Sequence, residues 1–186
     1  MTLLLLSGLP ASGKSTLARV LSAELDVPMV DKDEILERLF RERGVGDAAW
    51  RTTLSRDADL ELRHQAITLA RGILVSWWRH PRSVRDSGTP VDWFGELAGV
   101  PLEVHCVCDP SVAARRFLAR QRHQGHLDRR RGLEDLTNQF TYHASHGPLG
   151  VGPCVTVSTL EPVEIKALLS ALRAVSGSTL FDKATP

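Results

Sequence analysis

The chain has almost no excess of charge of either sign. Its 23 Lys and Arg face 22 Asp and Glu over 186 residues, for a formal net charge of +1. A balance this even excludes a general attraction to nucleic acid or an anionic membrane surface, so any phosphate binding must be local. Lysine is scarce, at four of the 23 basic residues, a bias that decides nothing about function. Long apolar runs are missing: no segment approaches the roughly 18 residues of a membrane span. The N-terminal Met1-Thr2-Leu3-Leu4-Leu5-Leu6-Ser7 has no basic leader, and its apolar run is shorter than the roughly 7–15 residues of an export-signal core. Cysteine is rare and odd in number. Cys106, Cys108 and Cys154 cannot all pair within one chain, and strand alternation puts Cys106 and Cys108 on one face. They read as buried, reduced thiols. Together these absences predict a soluble, cytoplasmic protein.

What is present suffices for one sizeable core. The chain is 42% hydrophobic, too apolar for a disordered segment, and its length suits one domain. Short apolar runs alternate with helix-period stretches, the pattern of an α/β protein with a parallel sheet. Strands are expected at Leu3–Ser7, Val27–Val30, Ile73–Trp77, Leu102–Cys108 and Val155–Ser158. Helices are expected at Lys14–Leu25, Asp33–Arg43, Asp57–Arg71, Val91–Leu97, Ser111–Arg122, Leu133–His143 and Pro162–Ala174. No internal repeat divides the chain. Residues 1–175 are expected to form one domain, followed by a small, polar tail over 176–186 that frays.

The segment Gly8-Leu9-Pro10-Ala11-Ser12-Gly13-Lys14-Ser15-Thr16 matches G-x4-G-K-[ST] between an apolar strand and an amphipathic helix, the setting the motif requires. Its glycines let the backbone wrap a phosphate, so successive N–H groups and the helix N-terminus point at the oxygens. Lys14 is placed to reach the β- and γ-phosphates, and the Ser15 hydroxyl to hold Mg²⁺. The chain therefore reads as a nucleoside triphosphate binder. At the end of the second strand stands Asp31-Lys32-Asp33-Glu34, where strand ends open onto the ligand crevice of a parallel sheet. Asp33 there can accept a proton from an attacking hydroxyl. It can also cap the following helix. Asp31 is the competing carboxylate, for Mg²⁺ or a substrate contact.

These two segments resemble the small P-loop kinases, the group that holds polynucleotide kinase, zeta-toxin, chloramphenicol phosphotransferase and gluconate kinase-like proteins. The resemblance implies a three-layer P-loop fold with a five-stranded parallel sheet, ATP as donor, and an Arg-bearing helical lid. It makes Asp33 the general base and Lys32 the basic residue that precedes it. The lid falls at about 115–132, with Arg116, Arg120 and Arg122 as phosphate clamps; Arg116 and Arg120 are four apart and share a helical face. The alternative for these arginines is a solvated helix face. His123, His126 and Asp128 also mimic a metal site, but a mobile loop makes a poor cage.

The sequence departs from the group in two places. The strand Gly72–Trp78 ends without the acidic residue that helps hold Mg²⁺ in many P-loop proteins. The Arg that grips an acceptor phosphate in polynucleotide kinases is replaced by Leu36, with Arg38 two residues beyond. Nucleic acid is thus the less expected acceptor. Trp77 and Trp78 point to opposite faces of a strand, so one of them faces the crevice, where it stacks an acceptor ring or roofs the core. The resulting expectation is an ATP-dependent, Mg²⁺-using phosphotransferase acting on a hydroxyl of a small neutral or aromatic molecule, with Asp31, Lys32, Arg38, Trp77 and Trp78 on the acceptor side. A 5′-hydroxyl polynucleotide or nucleoside kinase and a nucleotide-binding regulatory switch are the alternatives. No residue pattern names the acceptor or the oligomeric state.

Overall fold

The computed structural model describes residues 2–128 and 131–176. Five strands, β1 (Thr2–Gly8), β2 (Met29–Asp31), β3 (Arg71–Val75), β4 (Leu102–Val107) and β5 (Cys154–Ser158), form one parallel sheet in the order β2-β3-β1-β4-β5. Six α-helices accompany them: α1 (Lys14–Leu25), α2 (Lys32–Arg43), α3 (Ala48–Thr68), α4 (Pro110–Ala119), α5 (Leu133–Ala144) and α6 (Ile165–Ser176).

β1 is central because it is apolar on both faces. Leu3 and Leu5 enter one cluster with Leu36, Leu39, Leu54 and Leu62 of α2 and α3. Leu4 and Leu6 enter another with Leu17, Leu21, Leu168 and Leu172 of α1 and α6. Helices thus cover both faces, as a parallel sheet requires. Each fully buried Leu contributes roughly 1.5–3 kcal/mol. A third cluster, built on Phe117, Leu136 and Phe140, holds α4 to α5.

A charged group is buried in the interior of the sheet. Glu103 of β4 is fully buried, and its carboxylate accepts from Ser7 Oγ at 2.5 Å and from the backbone N–H groups of Leu149 and Gly150 at 2.8 and 3.2 Å. Since Ser7 gives its proton to Glu103, His105 Nδ1, 2.8 Å from the same hydroxyl, is the donor there. The network ties the last turn of β1 to β4 and to the loop before β5.

Several boundaries differ from the sequence expectation. α3 begins at Ala48, not Asp57, because the Asp47 side chain caps it by accepting from Trp50 N at 2.8 Å. β3 ends at Val75, two residues early. Val91–Leu97 holds only a 3-10 turn, Asp92–Glu96. α4 stops at Ala119, since Arg120 turns extended (φ −70°, ψ 141°), so Arg116 and Arg120 do not share a continuous helical face. α6 starts after Glu164, whose carboxylate accepts from the N–H groups of Lys166 and Ala167, rather than at Pro162. Cys108 lies past the end of β4 and joins the α4–α5 cluster, while Cys106 stays in the sheet core. All three cysteines are free, with Cys106 and Cys108 buried. No helix among the described residues is long and apolar enough to cross a membrane. Of the expected tail, Ser176 closes α6, and 177–186 lie outside the described residues.

Removing the Glu103 carboxylate takes the acceptor from the buried Leu149 N–H and from the buried Ser7 hydroxyl. Glu103→Ala is expected to destabilise the protein by about 3 kcal/mol, read as a lower midpoint in urea unfolding.

Candidate active site

The loop after β1 takes its shape from backbone geometry. Gly8 has φ +124°, and a Cβ there would lie 2.3 Å from the Cys106 carbonyl oxygen. Only glycine lets the loop leave β1 this close to β4. Ala11 (φ 59°) and Gly13 (φ 92°) are both left-handed, the alternation that turns successive N–H groups into one concavity. Gly13 precedes the first turn of α1, so the helix N-terminus opens into the loop. Lys14 is buried, and its Nζ donates to the carbonyls of Gly8 and Leu9 at 3.0 and 2.5 Å. Burial lowers its pKa from 10.5 to about 8.

A cavity of about 1170 Å³ opens above this loop. Pro10, Ala11, Gly13, Lys14, Ser15 and Thr16 line it, while Ser12 is fully buried behind them. Asp31 organises the neighbouring edge. One of its oxygens accepts from Asp33 N at 2.9 Å, capping α2, and the other from Ser15 Oγ at 2.6 Å. Asp31, rather than Asp33, is therefore the cap, because β2 runs one residue further than expected and α2 starts at Lys32. Burial, reinforced by the charge of Asp33, pushes the Asp31 carboxyl above its ordinary value.

Asp33, freed from capping, projects into the cavity with its side chain 51% exposed. Arg122 Nη2 stands 2.5 Å from Asp33 Oδ2. Burial within the cavity acts to raise the Asp33 pKa, but the charges of Arg122, Arg120 and Lys14 outweigh it and hold the carboxyl below its ordinary value. It is ionised at neutral pH. Arg122 and Arg120 converge on Asp128, at 3.2 and 3.4 Å. Arg116 is turned toward β5, where its guanidinium donates to the Thr159 and Leu160 carbonyls at 3.1 and 3.4 Å. His126 pairs through Nε2 with Glu37 at 3.1 Å, and burial lowers its pKa to about 3, so it is neutral. Among the described residues no cluster of three His, Cys, Asp or Glu could hold a metal, and His123, His126 and Asp128 do not form one.

Two of the acceptor-side expectations are corrected. Arg38 is bound to Glu42 at 2.8 Å and Glu61 at 2.5 Å and does not line the cavity. Trp78 is core: it is 5% exposed, its Nε1 donates to the Leu6 carbonyl at 2.9 Å, and it packs on Trp93 and Phe94. Trp77 lines the cavity, edge-on to His143. Lys32 does too, paired with Asp59 at 2.6 Å. At the end of β3, where an acidic residue was missing, the Ser76 and Thr89 hydroxyls lie 2.6 Å apart, both buried. Sequence reading missed the contribution of α3, whose Arg51, Thr52, Ser55, Arg56 and Asp59 also line the cavity. The signal was there: these polar residues recur at helical spacing opposite Leu54, Ala58 and Leu62.

The donors beside the phosphate loop suit the Mg²⁺ that such folds imply. Ser15 Oγ and the buried Asp31 carboxylate are hard oxygen donors next to the phosphate loop, which suits an ion that takes the rest of its shell from phosphates and water. The residues fit.

A parallel sheet with a G-x4-G-K-[ST] loop at its carboxyl edge and an ionised aspartate facing that loop defines a small P-loop kinase of the AAA-type group. The model of the AAA domain family matches residues 3–141, and the chain belongs to that family. A Chloroflexus aurantiacus protein provisionally described as a kinase superposes with a TM-score of 0.74 at 26% identity, over 94% of this chain and 97% of that one. Shikimate kinase from Bacteroides thetaiotaomicron shares the fold (TM-score 0.57, 18% identity, 96% and 99% covered). Cytidylate kinase from Methanosarcina mazei is 39% identical over 56 residues, 30% of this chain; the match spans 31% of that protein.

Nucleotide phosphates laid against Lys14 favour its charged form and return its pKa toward 10.5. ATP binding at pH 8 should therefore take up roughly half a proton at this group, and none near pH 6. Titration calorimetry in buffers of different ionisation enthalpy measures this uptake, which Lys14→Met should abolish.

Proposed function

We propose that the protein is an ATP-dependent phosphotransferase that moves the γ-phosphate of ATP to a hydroxyl of a small molecule. The observation that carries this reading is one cavity holding both Lys14 of the phosphate loop and the ionised Asp33, which no helix cap occupies. The loop N–H groups and Lys14 bind the phosphates, with Ser15 and Asp31 placed to hold Mg²⁺. When bound, that ion neutralises charge on the β- and γ-phosphates. The acceptor hydroxyl oxygen bonds to the γ-phosphorus, its proton passes to Asp33, and the bond to the bridging oxygen breaks to release ADP. Arg120 and Arg122, in the expected lid at about 115–132, of which 129 and 130 lie outside the described residues, meet charge on the transferring group. Arg116, with Val20, Leu160 and Ile165 lining the same cavity, takes the nucleoside end.

Asp33 also bears on the class of acceptor. A phosphate acceptor, such as the name cytidylate kinase implies for that relative, needs no base and is repelled by a carboxylate at its attacking oxygen. An alcohol needs the base. Leu36 in place of an acceptor-gripping Arg, and the even charge of the chain, weigh against a polynucleotide. Unpaired, buried thiols suit a reducing compartment such as the cytoplasm.

Asp33→Asn keeps the size and removes the base. ATP affinity should stay within a few-fold while kcat falls by about 10²–10⁴, measured as ADP release with an acceptor panel. Lys14→Ala should abolish transfer. Wild-type protein that fails to bind Mg-ATP in calorimetry would end the reading.

A further inference from the structure

The acceptor side of the cavity has more cationic groups than its acids can answer. Each nearby acid is already engaged: Asp59 with Lys32 at 2.6 Å, Asp33 with Arg122 at 2.5 Å, Asp128 with Arg120 and Arg122. Arg51 of α3 is half-buried, and its Nε donates to the His126 carbonyl at 3.0 Å. Arg56, little more than a turn further along α3, lines the same cavity. Among the described residues neither arginine forms an ion pair. Arg79, in the loop after β3, supplies a third cation; its one acid, Asp86 at 2.5 Å, has an 82% exposed side chain, and the Arg79 Nε is buried without a partner.

A half-buried guanidinium without a carboxylate is costly to keep in a protein wall, because desolvation acts against its charge. Burial does lower the Arg51 pKa. The cost is met when a ligand brings the missing negative charge, and a guanidinium fork matches carboxylate and phosphate oxygens in a bidentate pair. The Ser55 hydroxyl on the same helix adds a further donor, whereas Thr52 Oγ1 already donates to the Ala48 carbonyl at 2.8 Å.

We propose that the hydroxyl acceptor carries an oxyanion, a carboxylate or phosphate group, and that Arg51 and Arg56 bind it, with Arg79 as a further cation of the same subsite. The inference rests on the phosphotransferase reading and deepens it. It replaces the neutral or aromatic acceptor expected from the sequence, because the tryptophan contribution shrinks to Trp77 alone while α3 adds two arginines that sequence reading left out. The acceptor hydroxyl then meets Asp33 while its anionic end is held on α3, and a neutral analogue loses the second contact.

The test separates the subsite from the nucleotide site. The protein is first saturated with a non-hydrolysable ATP analogue and Mg²⁺, which fills the phosphate loop, and is then titrated calorimetrically with inorganic phosphate or with malonate. One equivalent of at least one of these anions should bind, with affinity about tenfold weaker in Arg51→Gln and in Arg56→Gln. It should be unchanged in Arg63→Gln, an exposed arginine on α3 that pairs with Glu96 outside the cavity. Because Arg56 is exposed and forms no ion pair among the described residues, its variant keeps the test valid even where Arg51→Gln perturbs folding. Tighter binding of phosphate assigns a phosphorylated acceptor; tighter binding of malonate assigns a carboxylic one. No binding of either anion, or binding indifferent to both substitutions, overturns the proposal. Failure of the analogue itself to bind overturns the phosphotransferase reading instead.

Discussion

The Asp31 carboxylate joins the two halves of the site. One oxygen caps α2 and fixes the direction in which Asp33 leaves the sheet; the other holds Ser15 at the start of α1. Because β2 pairs with β3 in register through Asp31 and Val75, the cap is set by the sheet rather than by a flexible loop. A phosphate-loop hydroxyl and a candidate base, 18 residues apart in sequence, thereby share one rigid support.

How much of this was legible follows from what each feature depends on. The phosphate loop was readable because its chemistry lies in contiguous residues, with backbone geometry that glycine spacing announces. The sheet was readable because Leu3–Leu6 is apolar at every position, the mark of a strand covered on both faces. The Asp33 position was readable, but not its release from capping, which turns on whether β2 ends at Val30 or Asp31. Arg38 and Trp78 looked like acceptor contacts from spacing alone. Their actual partners, Glu61 and the Leu6 carbonyl, lie 23 and 72 residues away in sequence, and no local pattern reports such pairings. The first turns of α3 were missed for a related reason: apolar periodicity detects a core-facing stripe, and residues 48–53 contribute nothing to it.

The electrostatics of the cavity separate its titratable groups by role. Burial lowers the pKa of Lys14 and raises that of Asp31, each moving toward its neutral form, as desolvation dictates. Asp33 goes the other way because cations surround it, and so it carries full charge at the cavity wall. Its partner Arg122 is at the same time bound to Asp128. The segment after α4 is thus fastened over Asp33 by a shared guanidinium, and anything that approaches Asp33 has to compete with that contact.

α3 divides its labour by face. Leu54, Ala58, Leu62 and Ala66 are fully buried against the sheet, whereas Arg51, Thr52, Ser55 and Arg56 line the cavity. The two sets interleave in sequence but face different surroundings, one the core cluster and the other the cavity. Substitutions on the cavity face of α3 can therefore reshape the cavity wall while the sheet-facing stripe, and the stability it supplies, is kept.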